Sequence, residues 1–255
     1  MTIKPLFLAT AALALVAAKE APKQPAAPAS ISAKDKATGA KAHPELLAEF
    51  GGAYTGPQAA YVTKVGQKIA VQSGLSNAQG DFTITLLNSP VNNAFAIPGG
   101  YVYVTRQLMG LMNNEAELAS VLGHEVGHVA ARHSQKRSSK ATLGGLGAIA
   151  ATVLGGVVAG SDGAKLGQQL GGNLATRYVM GYSRTQEYEA DDLGVAYLAK
   201  AGYDPMAAST MLASLAAQTS LESRMAGQTG NSMPKWAMSH PDPASRVTRA
   251  AQKAA

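Results

Sequence analysis

The string His124-Glu125-Val126-Gly127-His128 constrains this chain more than any other five residues. On a helix, positions i and i+4 share a face, so two imidazoles can converge on one metal ion. Glu125 then lies about 100° round from His124, within reach of a water held in the metal's open position. Zinc suits the pattern, because imidazole nitrogen binds a borderline-soft cation and a tetrahedral catalytic site keeps one position open. The chain has only five His, so a chance match is a poor explanation. The pattern implies metal-assisted hydrolysis, with His124 and His128 as ligands and Glu125 as general base. It also requires an unbroken helix through these residues and a second element to supply a third ligand.

The flanking sequence meets the first requirement. Asn114, with Glu117 three residues later, is a capping-box-like helix start. Leu118, Val121, Leu122, Val126 and Val129 follow at helical spacing, and no Pro intervenes before the basic cluster at Arg132 to Lys140. For the third ligand, the stretch Tyr182 to Asp191 places Glu187 and Asp191 at i and i+4 on a second helix running to about Lys200. Glu187 can bind the metal while Asp191 takes the N–H of a ligating His. Glu189 is the rival ligand, about 160° away from Glu187 on such a helix. The plain alternative for the acidic run is a solvated helix start.

With both segments in view, the chain resembles the zinc peptidase family that includes the CAAX prenyl protease and HtpX, the HExxH gluzincin type. The resemblance rests on Asn93-Ala94-Phe95-Ala96-Ile97-Pro98-Gly99-Gly100 with Tyr103-Val104-Thr105, on HEVGHVAARH, on SRTQEYEADDLG, and on Ser239-His240-Pro241 with Arg246. These stretches occur in the family's order over about residues 45 to 250. The resemblance implies one zinc per chain, held by His124, His128 and Glu187, with Glu125 as base and Asp191 behind a ligating His. It further implies a His-Pro histidine, here His240, that lines the active site and can close off the zinc when no substrate is present. Arg246 or Arg184 is a candidate to stabilise the oxyanion, its alternative role being to pair with a nearby carboxylate. Surface positions are expected for His43 and for His133, the latter about 140° off the face of His128.

Residues 1–18 read as an export signal, with Lys4, an apolar run from Leu6 to Ala18 and small residues before a cleavage point. That run is short for a membrane span. Residues 19–42 are rich in Ala, Pro and Lys and read as a flexible linker, leaving 43–255 as one metallopeptidase domain. The chain contains no Cys, hence neither a disulfide framework nor a lipid-attachment thiol. Its net charge of +6 is scattered apart from the Arg132–Lys140 cluster, and no aromatic-basic pattern suggests nucleic acid. An exported, periplasmic protein follows, soluble or peripherally membrane-associated.

The expected fold class is α+β and mainly helical, with a small sheet lining the cleft beside the HExxH helix. Residues 57–73 are helical by period. Asp81 to Leu87 alternates as a half-buried strand, with Phe82, Ile84 and Leu86 on one side. Asn93 to Ile97 and Tyr101 to Thr105 flank the turn signal Pro98-Gly99-Gly100. The sheet edge at Asn93, Ala94, Phe95 and Ala96 can hold an extended peptide by main-chain hydrogen bonds. Leu143 to Gly160, apolar but Gly-rich, is expected to pack on the domain rather than span a membrane. Residues 205–221 read as helix and 222–236 as a loop over the cleft.

The function so implied is a zinc endopeptidase acting on misfolded or misassembled cell-envelope polypeptides, outer-membrane proteins among them. The alternatives are a periplasmic chaperone or assembly factor with latent proteolysis, an aminopeptidase, and a zinc-stabilised binding module. The last does not need Glu125.

Overall fold

The computed structural model describes residues 29–137, 181–225, 240 and 243–255. The expected leader, the 143–160 segment and residues 226–236 of the expected loop lie outside the described residues. No helix among the described residues is long and apolar enough to cross a membrane.

Three strands make the sheet: β1 (Thr83–Leu87), β2 (Ala94–Ile97) and β3 (Tyr101–Thr105). Their order is β1-β3-β2, with β1 parallel and β2 antiparallel to β3. The β2–β3 turn passes through Gly99 at φ 95° and Gly100 at φ 84°. Those left-handed conformations strain any residue with a Cβ, and a Cβ on Gly100 would lie 2.3 Å from Asp81 O. The two segments flanking the turn signal therefore pair as a hairpin, and Asn93 closes its end by exchanging bonds with Thr105.

Side-chain parity divides the sheet into two faces. Ile84, Leu86, Ala94, Ala96, Val102 and Val104 enter the main core. Leu87, Phe95, Ile97 and Tyr103 enter a second cluster on the opposite face, with Ala42 and Leu46. That second cluster is covered by α1 (Ala33–Glu49), which corrects the linker expectation over residues 33–42. Ser32 caps this helix by accepting from the Asp35 amide, and Ala and Lys are good helix formers. Its buried residues are only Gly39, Ala42 and Leu46, too small a stripe to register as periodic apolar sequence. Gly39 is needed for the docking, since a Cβ there would meet Pro98 O at 2.1 Å. The helix packed on the sheet thus begins before residue 43.

The main core lies between the sheet and the helices α2 (Pro57–Ala70), α5 (Glu115–Ala130), α6 (Arg184–Ala201) and α7 (Ala207–Met225). Pro57 sits in the first turn of α2, where its missing N–H costs nothing, and a 3-10 turn at Val71–Ser73 completes the expected 57–73 helical stretch. Short helices α3 (Ala78–Asp81) and α4 (Arg106–Met109) bracket the sheet. The last helix, α8 (Pro243–Ala254), packs on α6 and α7. Residues 222–225, expected as loop, continue α7.

Candidate active site

Two capped helices carry the site. Asn114 caps α5 by accepting from the Glu117 amide, while the Glu117 carboxylate reaches back to Asn113, not to Asn114, and also accepts from Thr210 Oγ1 on α7. On α6, Ser183 and Gln186 form a full capping box. The two helices meet through small residues. A Cβ on Gly127 would lie 3.0 Å from Ala190 O, and one on Gly194 would lie 3.1 Å from His124 N. This close approach brings HEVGH opposite Glu187 and Asp191.

His124, His128, Glu187 and His240 are all buried and present ligand atoms within 4.8 Å of one another. Five of the six separations among them lie close to the edges of a tetrahedron, with Glu187 facing the two HEVGH histidines through different oxygens. Nε2 of His124 lies 2.9 Å from Nε2 of His128 and 3.2 Å from Nδ1 of His240. Glu187 lies 3.5 Å from Nε2 of each HEVGH histidine, through different oxygens, and 3.2 Å from His240 Nδ1. A tetrahedral zinc with bonds of about 2.0–2.1 Å has edges of about 3.3–3.4 Å. The donor types and spacings both fit such an ion.

Burial alone would raise the Glu187 pKa, but the three surrounding imidazoles hold its carboxyl well below the usual range. Asp191 receives the other nitrogen of His124, Nδ1 to Oδ1 at 2.9 Å. Arg246, on α8, binds both Asp191 oxygens at 2.7 and 2.6 Å and reaches Glu187 at 2.7 Å. Burial again works against charge on Asp191, and Arg246 with His124 overcomes it, so its pKa falls. Burial and Arg246 oppose protonation of His124; Asp191 and Glu187 outweigh them and raise its pKa to about 9. Arg246 is thus taken up by two carboxylates, the pairing role, and it ties α8 to the donor cluster. Arg184 is exposed at the start of α6.

Glu125 stands beside the donors and is not among the four. Its Oε1 is 3.4 Å from His240 Nε2, and its buried Oε2 has no hydrogen-bond partner among the described residues. Burial raises its pKa. His240 Nε2 also lies 3.2 Å from Ala94 O on β2. Ala94 and Ala96 face the core side of the sheet, whereas the Phe95 ring stacks on Tyr103 on the far side, leaving only its main chain toward the cleft. Asn93 lies at the start of the same edge strand.

Two surface expectations are corrected. His43 is half-buried and bonds to Tyr103 Oη at 2.7 Å, held there by α1. His133 is completely buried, its Nδ1 2.8 Å from His128 Nδ1. Glu189, the rival ligand, turns away from the cluster toward His133. Tyr182 went unassigned in the sequence and stacks on His128 with centroids 3.9 Å apart. An aromatic residue next to the Ser183 cap was the available signal.

Residues 57–254 match peptidase family M48. The chain belongs to that family. Among its relatives are the beta-barrel assembly-enhancing proteases of Yersinia pestis, 32% identical over 203 residues, and of Escherichia coli K12, 32% identical over 202. Each alignment takes in 76% of this chain and 38% of the relative, so the chain spans well under half their length. The mitochondrial metalloendopeptidase OMA1 of Schizosaccharomyces pombe is 29% identical over 212 residues, 82% of this chain and 57% of the relative. The M48 match takes in every residue of the donor cluster.

Proposed function

We propose that this M48 chain is a zinc-dependent endopeptidase of the cell envelope. The observation that carries the reading is the convergence of ligand atoms from His124, His128, Glu187 and His240 within 4.8 Å of one another, beside a buried Glu125 whose Oε2 has no hydrogen-bond partner among the described residues. A zinc ion bound there supplies Lewis acidity toward the scissile carbonyl and lowers the pKa of water. Glu125 accepts a proton from the attacking water and returns it to the leaving amine. Asp191 holds the His124 ring in one tautomer, and Arg246 fixes Asp191. Substrate lies extended along β2, the edge strand, where main-chain bonds position it without demanding one sequence. Export to the periplasm, and envelope polypeptides such as outer-membrane proteins as substrates, are proposed from the leader-like residues 1–18 and from the names of the beta-barrel assembly-enhancing relatives. Stoichiometric zinc in the purified protein, with casein cleavage lost to a chelator and restored by zinc, is the expected result. Cleavage indifferent to the chelator would refute the metal mechanism.

A second reading, a chaperone or assembly factor with latent proteolysis, draws on the fourth donor. A catalytic zinc site keeps a position open, and His240, whose ligand atom lies within 4.8 Å of the other three, would be placed to fill it. His240 also occupies the Ala94 carbonyl that an incoming peptide N–H would use. His240→Ala is therefore expected to retain zinc on the other three donors and to raise peptide cleavage several-fold. A fall in cleavage with zinc retained would instead make His240 a participant in turnover.

A further inference from the structure

Each HEVGH imidazole offers one nitrogen to the donor cluster and turns the other outward. For His124 the outward partner is the carboxylate of Asp191. For His128 it is a third imidazole, His133, at 2.8 Å between the two Nδ1 atoms. The far nitrogen of His133, Nε2, lies 3.1 Å from Glu189 Oε2 at the protein surface.

The backbone is bent to make this contact. Continued helix would carry His133 about 140° away from the face of His128. Instead α5 stops at Ala130, and Arg132 adopts φ 56°, the one positive φ of a non-glycine residue among the described residues. That left-handed conformation is unfavourable for arginine. It turns the chain so that His133 is fully buried beneath His128, where Gln186 donates to its carbonyl at 3.4 Å.

We propose that His133 and Glu189 are positioning residues for His128. The inference rests on the reading of His128 as a metal ligand. To offer the Nε2 lone pair, His128 must carry its proton on Nδ1 and donate it to His133 Nδ1. His133 then accepts at Nδ1, so its own proton sits on Nε2 and is donated to the Glu189 carboxylate. A carboxylate only accepts, so with His133 neutral this three-residue chain has a single proton arrangement, and it is the one that leaves His128 Nε2 free to ligate. Glu189 thus acts on the metal site without being a ligand.

The test is zinc affinity, read by competing a chromogenic chelator against zinc-loaded full-length protein, with thermal unfolding of each metal-free variant alongside. His133→Phe keeps a ring but no acceptor, and is expected to weaken zinc binding by about 10–100-fold. His133→Asn places Oδ1 where Nδ1 was, and should recover most of that loss. Glu189→Ala, at an exposed position that does not threaten folding, should weaken zinc in the same direction, while Glu189→Gln keeps an acceptor and stays near wild type. Equal weakening in the Phe and Asn variants would make His133 a packing residue and overturn the proposal. So would wild-type affinity in Glu189→Ala or in a folded His133→Phe protein. Wild-type protein that binds no zinc would overturn the metal-centre reading itself, and this inference with it.

Discussion

Glu125→Gln is expected to retain a full complement of zinc and to lose peptide turnover by about 10²–10⁴-fold, the usual contribution of a positioned general base. The donor atoms come from His124, His128, Glu187 and His240, so an amide at residue 125 removes no ligand. Glutamine matches glutamate in shape and adds no charge to a buried position. What it cannot do is accept a proton. Burial raises the Glu125 pKa, which makes the carboxylate a stronger base at the place where the water's proton must go. Zinc content and casein cleavage measured on the same preparation check the prediction. Retained turnover would remove Glu125 from the chemistry, and lost zinc would mean it supports the site instead. Binding of unfolded outer-membrane protein by the same variant would support the assembly-factor reading.

The donor cluster was largely legible in the sequence because each half of it lies on a regular helix. HEVGH and Glu187-x-x-x-Asp191 both use the i, i+4 relation, and the first helix announces itself with the cap Asn114, whereas the Ser183 capping box of the second emerges only in the structure. The hairpin was legible for a similar reason, since Pro98-Gly99-Gly100 meets a need for positive φ. What was hidden depends on departures from regularity or on distant partners. Placing His133 by helical extrapolation failed at the left-handed Arg132. The helix α1 was hidden because its buried stripe is Gly39, Ala42 and Leu46. Without α1 the second buried face of the sheet, with Phe95 and Tyr103, had no cover to predict. Arg246 is a candidate from sequence alone, but its pairing with Asp191, 55 positions away, depends on the fold.

Gly127→Val is expected to cost about 1–3 kcal/mol of stability through overpacking and to weaken zinc binding by about 10²-fold, as ligand atoms misplaced by about 1 Å commonly do for function. A Cβ at residue 127 already lies 3.0 Å from Ala190 O and 3.3 Å from both Ala190 Cα and Leu193 Cβ. Valine adds two branches beyond that carbon, and the groups they meet include backbone, which cannot rotate aside. The response available is for α6 to move away from α5. That movement falls directly on the metal site, because α5 carries His124 and His128 while α6 carries Glu187, only 3.5 Å from each. Gly123→Ala is the matched control. It lies one turn earlier on α5, its Cβ would rest 3.4 Å from Gly194 Cα and O, an ordinary contact, and alanine favours the helix. Zinc affinity by chelator competition and thermal unfolding of the metal-free proteins should separate the two substitutions clearly. If both behave like wild type, α5–α6 spacing does not set the donor geometry; if both fail equally, the constraint is helix integrity near the ligands rather than the approach of the helices.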